Sequence, residues 1–527
     1  AIPMIYQGEV AIVMDWFDKL PEALVQHSPM MCISKAWALA LMQHPTRGQE
    51  LAQAIREADL ALNLSNAGEA LRNLVAGHAA SIQAYVMQGA SLNRAEAGKL
   101  IEMAQRARRL LPENEKAIHS VNALLIGYGH VALADFAPAE KAYAQAFEDG
   151  IAGGNFYAGV YGAIYLVVMA IMKGQLKDAS QMCLTYIDQF NRFVAGQRFP
   201  PIGDLYSVKG SLLLEENRLV EAEEALMHGL SLIHLTAEYE AHIRGYSALA
   251  RLRFIQGNQA GMQESLSFFE GNRKESDLYG QALRHRFSVH GALVNETILE
   301  EARHWITPFS TRFHSLPDID SADLVNRLRY LTYLGAAHVL IRLAVRNPQA
   351  YSLRNVHDYF VRQEKFAEAH KFLGWSIEIW ILRALAYHVE GKPNDAHRII
   401  LSALEAAAPR GYFRIFLDEA DLMRPLLESM ESRVKDNDLS VFVERLLDAM
   451  PGESIQAKTH LPHEALLTDR ELEVLRLLVA GESYKEMGQK LFLSLNTVQF
   501  HVKSIYRKLS VNKRVQAIRK AQEMKLI

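Results

Sequence analysis

IMKGQLKDAS, from Ile171 to Ser180, holds the end of an apolar helix, a glycine turn and the opening of a second helix with alanine at 179. The arrangement returns as LEENRLVEAEEAL (Leu214–Leu226), FIQGNQAGM (Phe254–Met262) and VEGKPNDAH (Val389–His397), and stands earlier in LADFAPAEKAYAQAF around Ala139. With the small residue after the turn as marker, Ala139, Ala179, Ala222 and Ala260 follow one another at 40, 43 and 38 residues. Helical-hairpin solenoids repeat at roughly 34 to 47 residues. A single hairpin cannot bury its apolar face, and stacked hairpins need small side chains where their backbones approach. Between the turns, apolar residues recur at three and four spacing with little strict alternation. Residues 1–450 are therefore expected to form an all-α array of helical hairpins, a surface suited to binding an effector or a partner protein.

Beyond the repeats, the composition is that of a globular protein: 22% charged and 50% hydrophobic over 527 residues, which excludes disorder and collagen. Two cysteines, Cys32 and Cys183, cannot supply a disulfide framework and fit a reducing compartment, so a cytoplasmic protein is expected. The most apolar window, Tyr157 to Gly174, is interrupted by glycines and reads as a buried helix, so no membrane role is expected. The net charge of -3 is an average of two unlike parts: Thr468 to Ile527 has 12 Lys and Arg against 6 Asp and Glu, leaving 45 against 54 before it. Two bodies of opposite charge follow. PGESIQAKTHLPHEAL, residues 451–466, reads as the linker between them, and residues 467–527 as a small separate domain.

That domain is punctuated clearly. Thr468 with Glu471 forms a capping box, Leu472, Leu475 and Leu478 make an apolar stripe, and Gly481 ends the first helix. Ser483 with Glu486 opens a second helix, Ser494 caps a third running to about Leu509, and Asn512 can cap a fourth. Val498, Val502, Ile505 and Leu509 share one face of the third helix, while Asn496, Gln499, Phe500, Lys503 and Arg507 remain for the other side. This is a helix-turn-helix plan. Amide, cationic and apolar side chains suit the edges of bases in a DNA major groove, so Gln499, Phe500 and Lys503 are the expected base-facing residues. Lys485, Lys490, Thr497, His501, Arg507 and Lys508 are the candidates for the DNA backbone, with Lys513, Arg514, Arg519 and Lys520 adding positive charge.

In the array, Tyr157, Tyr161 and Tyr165 stand four apart on one helix face, with Tyr206, Tyr239 and Tyr246 in later helices. Such residues could line an effector pocket, with Tyr157, Tyr161, Tyr165 and Tyr206 the candidates, or pack between helices with their hydroxyls at a rim. No HExxH, CxxC or Asp-rich calcium loop occurs, so no metal site is expected; no GxSxG elbow or GxxxxGK[ST] phosphate loop occurs, and no enzyme is expected.

The words LTDRELEVLRLL, AGESYKEMGQKL, LSLNTVQFHVKSIYRKL and NKRVQAI resemble the LuxR-type helix-turn-helix over about 55 residues. The chain departs from the usual family pattern at Tyr484, at Met487-Gly488 and at Gln499, where the family commonly has Lys; a distinct operator sequence is the expectation. The resemblance also implies that the fourth helix mediates dimerisation on DNA. YQGEVAIVMDWFDKLPEALVQHSP (Tyr6–Pro29), the helix with Trp37, and APRGYFRIFLDEADLMRPLLE (Ala408–Glu428) look like the MalT-like large regulators of the LuxR family. That resemblance implies a tetratricopeptide-like sensor array, and an ATP-binding NTPase domain ahead of it. No cofactor is expected in this chain, ATP being assigned to that further domain, and the sequence is expected to be the sensor and DNA-binding end of a longer protein. The expected function is a bacterial transcription regulator, an activator whose array responds to a small-molecule inducer or regulatory protein. The expected partners are double-stranded DNA, RNA polymerase and further copies of itself on DNA. The alternative is an interaction scaffold with secondary DNA binding.

Overall fold

The computed structural model describes all residues except 1, 7, 43–47, 89–91, 195–197, 235–237, 272, 291–293, 311–312, 431–436, 451–468, 492–497, 499–501, 503–504, 506–510, 512 and 524–527. Among the described residues every regular element is a helix. The chain divides into two compact units, Ala1–Met450 and Pro451–Ile527.

The first unit opens with three short helices, Ile2–Tyr6, Val10–Lys19 and Glu22–Gln26, packed on the helix Pro29–Met42. Trp37 lies in their core and donates from Nε1 to Nδ1 of the buried His78, 3.1 Å away. Helical hairpins then follow, among them Lys116–Ala132 with Phe136–Gly153, Phe156–Met172 with Leu176–Phe193, Ile202–Glu215 with Leu219–Ile233, and Leu373–Val389 with Pro393–Ala407.

One local rule makes the hairpins. The turn contains a residue with left-handed φ, Ala134 (+59°), Gly174 (+77°), Asn217 (+61°), Gly257 (+68°), Lys371 (+58°) or Gly391 (+70°). The following amide reaches back five residues to a helix carbonyl, as from Gln175 to Ala170 (2.9 Å) and from Lys392 to Tyr387 (2.9 Å), satisfying an acceptor the helix end would otherwise leave free. That following residue also starts the next helix, and the side chain four positions beyond it is buried: Ala139, Ala179, Ala222, Met262, Ser376 and Ala396. The sequence marker Ala260 is exposed, which corrects the register. Counting from the start residue Asn258, whose backbone carbonyl accepts from Met262, places Met262 in the buried position, so the markers stand at 40, 43 and 40.

Close approach is met by glycine at the contacts that demand it. A Cβ on Gly203 would lie 2.6 Å from the Gly229 carbonyl, and one on Gly229 2.6 Å from that of Gly203.

The array also makes contacts far beyond neighbouring hairpins. Phe136 meets Phe372 at 4.5 Å between ring centres, and the Tyr165 hydroxyl donates to Glu240 at 3.0 Å. The segment APRGYFRIFLDEADLMRPLLE crosses earlier helices: Tyr412 donates to the Ile171 carbonyl (3.4 Å), the Ile415 amide to Glu215 (3.2 Å), and Arg414 to Asn217 (3.1 Å) and Asp418 (2.7 Å). Arg251 bridges Asp418 and Glu215, and the buried Arg342 bridges Glu419 and Asp421. No helix among the described residues is long and apolar enough to cross a membrane.

Candidate nucleic-acid interface

The second unit is built around a small closed core of Val474, Leu475, Leu478, Met487, Val498, Val502, Ile505, Ala517 and Ala521. Its first helix, Asp469–Val479, turns Leu475 and Leu478 inward, and Leu472 is half-buried. Gly481 ends it with φ +87°, its amide on the Leu478 carbonyl (3.2 Å) and that of Glu482 on Leu477 (3.1 Å). The capping box at Ser483 is present in both directions: the Ser483 amide donates to Glu486 Oε2 (2.7 Å) and the Glu486 amide to Ser483 Oγ (3.3 Å). Hydrogen bonds from the Ser483 hydroxyl and from its backbone amide hold the Glu486 carboxyl below its ordinary pKa. The helix Tyr484–Leu491 follows, and the departure Met487-Gly488 lies on its buried side, where Met487 fills the core.

Val498, Val502 and Ile505, the inward face read from the sequence, are helical and buried. Their spacing of four and three fixes which side of the third helix meets the other two. Gln499, Phe500 and Lys503 lie outside the described residues, as do Thr497, His501, Arg507 and Lys508, the caps Thr468, Ser494 and Asn512, Leu509, and the linker 451–466.

Of the cations that are described, Lys485 and Lys513 are exposed, and Lys490 is exposed with an ion pair to Glu482. Arg514 acts within the fold. From the start of the helix Arg514–Glu523 its guanidinium donates to the Leu478 carbonyl at 2.7 Å, capping the end of the first helix. Sequence reading counted it only as positive charge. A hydrogen bond to a carbonyl across the fold leaves no signature in spacing.

In the array, the tyrosine candidates Tyr161, Tyr165 and Tyr206 belong to, or pack against, the large core. Tyr165 stacks on Tyr143 (5.0 Å between centres), meets Tyr128 edge-on (5.2 Å), and commits its hydroxyl to Glu240. Glu240 in turn pairs with Arg327 and with Arg244 (2.9 Å), which grips Asp204 with two hydrogen bonds of 2.8 and 2.9 Å. Burial raises the Glu240 pKa, but the two guanidiniums outweigh it and bring it down to about 2. Tyr161 is buried among apolar residues of the core, and Tyr157 packs edge-on against Phe199 at 5.2 Å. Tyr206 sits against His228 (4.4 Å) and takes a hydrogen bond from Asn191 (3.4 Å). Of the later tyrosines, Tyr239 bonds Ser276 and Tyr246 stacks on Phe268 at 4.7 Å. The Asp204, Glu240, Arg244 and Arg327 cluster escaped sequence reading because its members come from three helices up to 123 positions apart.

An array of helical hairpins joined to a separate helical unit with a helix-turn-helix core is the build of a DNA-binding regulator, and comparison with known sequences narrows it. Residues 77–433 match the MalT-like TPR region, and residues 465–521 match the bacterial regulatory proteins of the luxR family. The chain belongs to the MalT-like family and carries a luxR-family domain at its C-terminal end. It is 22% identical to the HTH-type transcriptional regulator MalT of Vibrio cholerae and 21% identical to that of Serratia proteamaculans, in each case over 99% of this chain. It spans 57% of the length of either relative. Over 57 residues, 11% of this chain, it is 49% identical to the transcriptional regulatory protein LiaR of Bacillus subtilis, covering 26% of that protein.

Proposed function

We propose that the chain acts in the cytoplasm as a sequence-specific DNA-binding transcription regulator, an activator whose array receives an inducer or a regulatory protein and controls association of its copies. The observation that carries this reading is the small core in which Val498, Val502 and Ile505 face inward. On the 3.6-residue period that assigns Phe500, Lys503 and Arg507 to the outer side of the third helix and Gln499 to its edge, the side that would enter a major groove. Lys485, Lys490, Thr497, His501, Arg507 and Lys508 would hold phosphates. The whole-chain likeness to MalT regulators supports transcriptional control, and with it RNA polymerase as a partner. Association matters because one small domain binds weakly. Once one domain is bound, tethered copies meet adjacent half-sites at high effective concentration. ATP belongs to a further domain rather than to these residues.

The test separates base from phosphate contacts. Gln499→Ala and Lys503→Ala are each expected to weaken binding to the selected operator by about 1 to 3 kcal/mol and to relax sequence preference. Lys490→Ala should weaken all duplexes alike and lower the salt slope by about one. Unchanged discrimination between operator and random DNA in Gln499→Ala and Lys503→Ala would show that the recognition face lies elsewhere.

A further inference from the structure

Three side chains from separate parts of the array converge where the segment around Asp418 crosses the older helices. His290 follows the helix Lys274–Ser288, His338 lies in the middle of Leu324–Arg346, and Glu419 precedes Ala420–Glu428. His338 Nδ1 is 2.9 Å and His290 Nε2 3.6 Å from Glu419 Oε1, and all three atoms lie within 4.8 Å of one another. The side chains are almost fully enclosed, His338 at 4%, His290 at 8% and Glu419 at 2% exposed.

The hydrogen bonding there is incomplete. Arg342 takes Glu419 Oε2 and His338 Nδ1 lies at hydrogen-bond distance from Oε1, but His290 Nε2 has no hydrogen-bond partner. Leaving a buried donor or acceptor unmet is costly.

We propose that His290, His338 and Glu419 are three ligands of a site for a zinc-type divalent cation, with the fourth position left to water. Two imidazole nitrogens and one carboxylate oxygen are a donor set of zinc, at bond lengths of about 2.0 to 2.2 Å. A tetrahedron of that size sets its ligand atoms about 3.3 Å apart, and the separations of 2.9 and 3.6 Å bracket this. Magnesium and calcium, which favour oxygen shells, fit poorly. Arg342 on the second carboxylate oxygen is the outer partner that orients Glu419. The competing cation is Arg286, 3.7 Å from Oε1, which also lies in the field of the buried Glu378 and Asp418. A bound ion would tie the Asp418 segment to two earlier helices and stiffen the array at that crossing.

The experiment uses the full chain, stripped of metal with a chelator and then titrated with Zn2+, with Co2+ as the spectroscopic probe and Mg2+ as control. The expected result is one equivalent of Zn2+ bound, a tetrahedral-type visible spectrum with Co2+, and a melting temperature that rises with Zn2+ but not Mg2+. His290→Gln and His338→Gln should each weaken Zn2+ binding by at least about 100-fold, beyond the 10- to 100-fold loss typical of removing an outer partner. Far-ultraviolet circular dichroism checks that each variant is folded. Should His338→Gln fail to fold, His290→Gln, next to a turn at the edge of the cluster, carries the test alone. Absence of stoichiometric uptake overturns the proposal, and so does uptake of unchanged affinity in His290→Gln, which would place the ion on other histidines.

Discussion

Lys371 adopts φ +58° in a turn where other hairpins of the array use Gly174, Gly257 or Gly391. An L-residue loses about 1 to 2 kcal/mol in that conformation, part of which glycine returns through its freer unfolded chain. Lys371→Gly should therefore raise stability by about 0.5 to 1 kcal/mol, read from the urea midpoint, whereas an unchanged or lower midpoint would mean that the lysine side chain contributes more than its backbone costs. His78 makes a second case among single residues. Burial lowers its pKa to about 4, and its Nδ1 accepts from Trp37, so the folded state requires the neutral ring. Unfolded, the same ring takes a proton near pH 6.5. Between those values the unfolded chain binds more protons, so stability falls as pH is lowered from about 6.5 toward 4 and is level above. At pH 5 the loss from this one group is about 2 kcal/mol, and His78→Gln should flatten the pH dependence of unfolding by that amount.

Among the elements, the segment from Ala408 to Glu428 tests the packing of the array most sharply. Asp418 is buried between Arg251 and Arg414, which hold its carboxyl below the usual range despite a burial that raises it. Asp418→Asn would leave Arg414 without its carboxylate and Arg251 with Glu215 alone, and removing one partner of a buried pair costs about 3 to 5 kcal/mol. Thermal unfolding should show a loss on that scale, with limited proteolysis opening first between residues 408 and 428. The sequence made this segment noticeable through its resemblance and carried no sign of where it lands, since Glu215, Arg251 and Arg342 are between about 80 and 200 positions away. The hairpins were legible for the opposite reason. Turn, helix start and buried marker are local, and the only slip was one of register at Ala260, where two small residues, Ala260 and Gly261, precede the Met262 that fills the core.

Across the chain, the division into a helical array and a compact C-terminal unit follows the reversal of charge in the sequence, 45 against 54 before Thr468 and 12 against 6 after it. The inward face of the third C-terminal helix was legible because four-and-three spacing can bury only one side, and Val498, Val502 and Ile505 occupy that core. What the array binds was not legible. The groups that converge, such as Asp204 with Arg244 or His290 with Glu419, are assembled only by the fold.

Sequence-specific regulation is tested most simply by a selection of duplexes from a random pool by the full chain, followed by fluorescence anisotropy with the recovered sequence and a scrambled one at two salt concentrations. A recovered motif bound at least about 1000-fold more tightly than the scramble, with affinity falling steeply as salt rises, is the result expected of a sequence-specific regulator. Equal and weak binding to every duplex at both salt concentrations would contradict it.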